Sequence, residues 1–134
     1  MIKLIVGTKG SGKTKTLIDM AKAAAETSKG NVVCVEKGDK LAREGPTSVR
    51  LINSDEYQVK GFANLYGFLA GILAGNYDIT ELFIDGILKI VDHNMDAAAK
   101  VLAEIDKIAG NSVEVVVTVS ADQASLPEGI KKYL

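Results

Sequence analysis

Residues Gly7 to Thr14 read GTKGSGKT, and no other stretch of the chain limits its fold so strongly. Glycines at positions 7, 10 and 12 permit backbone conformations that a Cβ would block. The segment can therefore curl until successive N–H groups point into one hollow, a shape that holds phosphate oxygens. A helix leaving the loop adds the positive end of its dipole. The pattern G-x-x-x-x-G-K-S/T carries this chemistry when a strand enters it and a helix leaves it. Both flanks are present: the apolar run Ile2, Leu4, Ile5, Val6 precedes the loop, and a helical stretch from Lys13 to about Ser28 follows. Gly7, Thr8, Lys9, Gly10, Ser11, Gly12, Lys13 and Thr14 are thus expected to surround the phosphates of a nucleoside triphosphate. Lys13 supplies a point charge to the β- and γ-phosphates. Thr14 offers its hydroxyl to Mg²⁺, which keeps waters and takes phosphate oxygens as further ligands. The Lys9 side chain reads as a solvated loop charge.

Beyond the loop, β and α signals alternate. Asn31–Glu36 (NVVCVE) is continuously apolar, as a strand buried on both faces should be. Further strands are predicted at Val49–Ile52, Leu82–Asp85 (LFID) and Val113–Val119, and helices at about Lys60–Ala74, Met95–Ala109 and Pro127–Tyr133. The alternation predicts a single domain, residues 1–134, folded as a three-layer α/β/α sandwich around a mostly parallel sheet of about five strands. Ligands of such sheets bind at the carboxyl ends of the strands, so each polar residue closing a strand is a site candidate. The segment Gly38–Asp55, with Gly45–Pro46 inside it, is either a surface connection or a loop over the nucleotide.

A bound Mg·ATP needs an acid at the end of a buried strand, and Asp85 fits that description. A water-activating group is less plain, because Gly86 follows Asp85. Glu36 closes the second strand and is the first candidate for a catalytic role beside Lys13 and Asp85, with Asp39 behind it; a solvated charge is the alternative for each. Ser120, after the last strand, is expected to meet the γ-phosphate, or else to serve with Asp122 in a turn or cap. No N-K-x-D reader of guanine follows the late strand, which continues VSADQAS, so ATP is expected over GTP. Arg43 and Arg50 flank Gly45–Pro46 and are the arginines available to a transferase lid.

Composition excludes several classes. A formal charge of −1, two arginines and no tryptophan give little for a nucleic acid to bind. The lone Cys34 sits in an apolar run and reads as a structural thiol in a reducing compartment. The opening strand leaves no room for a signal peptide, so a cytoplasmic setting is expected. Gly67, Gly71 and Gly75 recur every four residues in GFLAGILAG. On a helix they form a smooth ridge, suited to packing on the protein's own sheet or to a homo-oligomer or protein-partner face. That stretch is too short to span a bilayer, so no membrane is expected as a partner. His93 reads as a surface or capping residue.

The loop, the LFID strand and the βα alternation resemble the P-loop NTPase superfamily across most of the chain, the loop being its most specific part. The resemblance implies ATP binding with Mg²⁺ and slow or partner-stimulated hydrolysis. A non-hydrolysing switch and a nucleoside-type kinase are the alternatives. More narrowly, the chain is similar to a group of small bacterial ATP-binding proteins, some labelled twitching-motility ATPases. Secretion-type motility ATPases have a separate N-terminal domain and acidic and histidine-containing boxes, which 134 residues with one histidine are not expected to match. The opening LIVGTKGSGKTKTLI also looks like the smaller bacterial thymidine kinases. Those enzymes carry a glutamate where this chain has Gly86, and a cysteine-rich zinc lobe that one cysteine cannot supply.

Overall fold

Five strands form one sheet, all parallel, in the order β1 (Ile2–Gly7), β5 (Glu114–Ser120), β4 (Ile79–Asp85), β2 (Asn31–Glu36) and β3 (Arg50–Asn53). The computed structural model describes residues 1–44 and 47–134; Gly45 and Pro46, within the segment read as a surface connection or a loop over the nucleotide, lie outside them. Helix α1 (Lys13–Thr27) carries the chain from β1 past two strand positions to β2. The short α2 (Lys40–Glu44) leads to β3 at the far edge. The chain then returns through α3 (Gly61–Gly75) to β4, and through α4 (Ile87–Ile90) and α5 (Met95–Ala109) to β5. It closes with α6 (Glu128–Lys131).

Strand side chains alternate between faces, and the burial pattern sorts them into two cores. Val33, Val35, Leu82, Ile84, Val115 and Val117 pack with Leu65 and Leu69 of α3 and with Val101, Leu102 and Ile105 of α5. Val32, Cys34, Phe83 and Val116 face the other way, against Leu17 and Ala21 of α1 and Leu41 of α2. Helices thus cover both faces. Continuously apolar strands were the sequence signal of this arrangement, and the physical reason is that neither face of the sheet meets water. Among the described residues, no helix is long and apolar enough to cross a membrane.

Alternation also decides where the polar strand ends go. Glu36, Asp85 and Thr118 share the parity of Cys34, Phe83 and Val116, so they belong to the α1 face at the carboxyl end of the sheet. Glu36 stands opposite Asp85 on one side and Asn53 on the other.

Several boundaries differ from the sequence reading. β4 starts at Ile79 rather than Leu82, because Asn31 and Val32 of β2 pair with Ile79 and Glu81 and draw the polar residues Thr80 and Glu81 into the sheet. The weak third strand is displaced by one residue to Arg50–Asn53, and the last helix is shorter than Pro127–Tyr133. The short helices α2 and α4 carry too few residues for a helical period to be visible in sequence. The α3 glycines do not pack on the sheet. That task falls to Leu65 and Leu69, and a Cβ built at Gly67, Gly71 or Gly75 meets nothing within 4 Å. A shallow groove of about 530 Å³ lies beside Gly67, bordered by Tyr57, Val59 and Phe68.

Candidate functional site

Gly10 and Gly12 have φ of 85° and 87°, values that side chains on L-residues resist, and they bend the loop after β1. The Ser11 N–H donates to the Thr8 carbonyl at 3.2 Å inside the bend. Gly12 is the N-cap of α1, yet no side chain caps the helix and its first turn holds no acid. Lys13, Thr14 and Lys15 stand there instead. Two cations beside the positive end of a helix dipole oppose each other, and an anion relieves that repulsion. The bare N–H groups of the first turn are the donors that such an anion would accept.

Lys13 is only 9% exposed, and among the described residues no carboxylate pairs with it. Its Nζ donates to the Thr8 carbonyl at 2.9 Å and to Ser11 Oγ at 3.4 Å, both within the loop. A buried ammonium without a counter-charge is costly, so this group also calls for an anion.

Across the hollow, the Thr14 hydroxyl donates to Asp85 Oδ2 at 3.1 Å. The Thr118 hydroxyl donates to Asp85 Oδ1 at 2.7 Å and accepts from the Gly86 N–H at 2.6 Å. Thr118 was not foreseen from the sequence. Its signal was a polar residue of matching parity inside the apolar run VEVVVTV, on the strand that separates β1 from β4.

These groups border a cleft of about 840 Å³ at the carboxyl end of the sheet. Five lysines line it: Lys9, Lys13 and Lys15 from the loop and α1, Lys40 from α2, and Lys89 from α4. Only Lys15 has a carboxylate partner among the described residues, the exposed Asp19 at 3.1 Å. Asp85 is the one carboxylate among the lining residues. Ser120 also lines the cleft and stands opposite Gly7 in the β1–β5 register. His93 borders it as well, whereas the cap of α5 is Asn94, whose side chain accepts from the Ala97 N–H. Lysines on separate elements, converging with little acid among them, give the cleft a positive potential of the kind a polyanion would favour.

Among the described residues no three His, Cys, Asp or Glu side chains cluster as a metal cage. Thr14 and Asp85 therefore fit a cation that takes most of its ligands from phosphate oxygens and water, as Mg²⁺ does.

Other candidates lie outside the cleft lining. Glu36 is 6% exposed, and its carboxylate accepts from the Leu41 N–H at the start of α2. Burial foremost, then the nearby Asp85 and Asp39 carboxylates, raise its pKa, against the lowering effect of the Leu41 hydrogen bond and Lys40. Asp39 pairs with Arg43 at 3.4 Å on the surface, and Arg50 donates to the Leu51 carbonyl at 3.0 Å. Asp122 accepts from the Ala124 N–H at 3.2 Å and caps a short turn. Cys34 is packed at 2% exposure, and burial, helped by Asp85 and Glu36, pushes its thiol up to about 12. It is correspondingly unreactive at neutral pH.

The Glu36 environment has a measurable consequence. Its folded pKa lies above the unfolded value near 4.5, so its contribution to stability is present below that pH and is lost as pH rises through the folded value. Glu36→Gln keeps an acceptor for Leu41 and removes the charge. The melting temperature of Glu36→Gln relative to the native protein is expected to rise as pH climbs from about 4.5 through the raised folded value. A constant difference in parallel thermal melts would count against a buried, destabilised carboxylate.

No family model matches this chain, and no curated protein matches it.

Proposed function

We propose that the chain binds Mg·ATP in this cleft and hydrolyses it slowly unless a partner completes the site. The observation that carries the reading is the uncapped start of α1, where the buried, unpaired Lys13 stands beside the Thr14–Asp85 pair. These features form a coherent phosphate site within what we read as a P-loop NTPase fold. The loop amides and Lys13 hold the β- and γ-phosphates, and Thr14 with Asp85 would hold the cation. Mg²⁺, when bound, supplies charge neutralisation of the phosphate oxygens. Thr118 fixes the rotamer of Asp85, and Ser120 is within the set of groups that a terminal phosphate would meet. Catalysis rests on positioning and charge. It is slow because Asp85, the carboxylate lining the cleft, is committed to the Thr14 and Thr118 hydroxyls. Glu36 is buried against Leu41 and is not among the residues lining the cleft, which leaves it poorly placed to activate water there.

The same scarcity of a free base favours, as second reading, a nucleotide switch that binds without hydrolysing and acts through partner binding or self-association. Phosphate release from ATP with Mg²⁺, measured beside Asp85→Ala, separates the two. Turnover is expected in the native protein and is expected to fall at least about a hundredfold in the variant. Binding without any turnover in the native protein would replace hydrolysis by the switch. Turnover that survives Asp85→Ala would remove Asp85 from the site.

A further inference from the structure

Among the lysines lining the cleft, Lys89 is the one nearest in sequence to Asp85. It leaves the exposed side of α4, yet it lines the cleft, and no carboxylate pairs with it among the described residues. Its stem passes close to Gly86. That residue has φ of 72°, and a Cβ there would lie 3.5 Å from Cδ of Lys89 and 3.9 Å from its Cγ. The lysine stem thus runs beside the backbone directly after Asp85, within ordinary van der Waals reach of where a Cβ at 86 would stand. The turn beneath it is fixed. Gly86 donates its N–H to Thr118 Oγ1 at 2.6 Å, Thr118 holds Asp85, and the Lys89 N–H donates to the Gly86 carbonyl at 3.0 Å.

Lys13 approaches the phosphates from the loop, where Thr8 and Ser11 hold it. Lys89 comes from a different element, on the side of the acid that would hold the cation. A triphosphate has one phosphoryl group more than a diphosphate, and a further cation that reached that group would stabilise its added charge. We propose that Lys89 contacts the terminal phosphate and makes this cleft prefer nucleoside triphosphate over diphosphate. This inference rests on the nucleotide-binding reading above.

Calorimetric titration of the full chain with Mg·ATP and Mg·ADP tests it, using the native protein, Lys89→Ala, Lys89→Arg and Lys40→Ala. Lys89→Ala is expected to weaken ATP about tenfold and ADP less than about twofold, as loss of one charge-assisted contact to a single phosphate should. Lys89→Arg retains most of the preference. Lys40→Ala, which removes an equal charge from the same cleft, changes both nucleotides alike. Equal losses for ATP and ADP in Lys89→Ala, or no loss for either, would overturn the assignment. If the native protein binds neither nucleotide, the proposed function falls with it. Because Lys89 is exposed, the variants should melt with the native protein, which thermal denaturation verifies.

Discussion

Lys13→Ala is expected to lower the affinity for ATP at least about tenfold while leaving the nucleotide-free protein as stable as before, or slightly more so. The two halves of this expectation have one cause. In the free protein Lys13 is a buried ammonium beside the positive end of α1, held only by the Thr8 carbonyl and the Ser11 hydroxyl. Removing it relieves repulsion with the helix dipole and with Lys15. On the proposed reading Lys13 faces phosphate in the bound protein, and its loss would remove a charge-assisted hydrogen bond. Paired titrations and thermal melts check both halves. Unchanged ATP affinity would dismiss the site. A large fall in free-protein stability would make Lys13 a structural residue, with phosphate incidental to its burial.

Phe83→Ala should give the largest loss of stability. Phe83 is 2% exposed in the central strand β4 and packs in the layer beneath Leu17 and Ala21 of α1. Truncating a buried phenylalanine costs about 3–5 kcal/mol, from lost burial and the cavity left behind. That is a large part of the 5–15 kcal/mol typical of a domain. Urea denaturation is the direct measurement. A loss below about 1 kcal/mol would mean that α1 does not close over the sheet as described. Because α1 also carries the first N–H groups of the phosphate hollow, the surviving folded fraction should bind ATP more weakly than the native protein.

Much of this molecule was legible in its residues. Apolar runs gave β1, β2 and β5 nearly to their ends, and α5 was bounded correctly because a strong apolar stripe lies between Asn94 and Gly110. The glycine loop and Asp85 were singled out because the expected chemistry demands particular residue types at particular spacing, and the fold brings Asp85 to Thr14 at the start of α1. What escaped was local or relational. The helices α2 and α4 are shorter than the period that would reveal them. Thr118 looked like a β-branched strand former and nothing more, since threonine suits a strand whether or not its hydroxyl has a partner. Lys40 and Lys89 carry no motif that would separate them from ordinary surface lysines. The α3 glycine ridge had two uses by sequence, and in the fold it faces away from the sheet.

By itself, then, the sequence determined local quantities: where the backbone can curl, which runs must be buried on both faces, and which strand ends in an acid. Those follow from side-chain shape and from period, which neighbouring residues carry. Only the tertiary structure decided that β5 lies between β1 and β4, so that Thr118 reaches Asp85, and that Glu36 turns toward Leu41. It also decided that lysines from α2 and α4 join those of the loop. Strand order and the convergence of distant charges depend on how whole layers pack, a property of the assembled sheet and its helices that no short window of sequence contains.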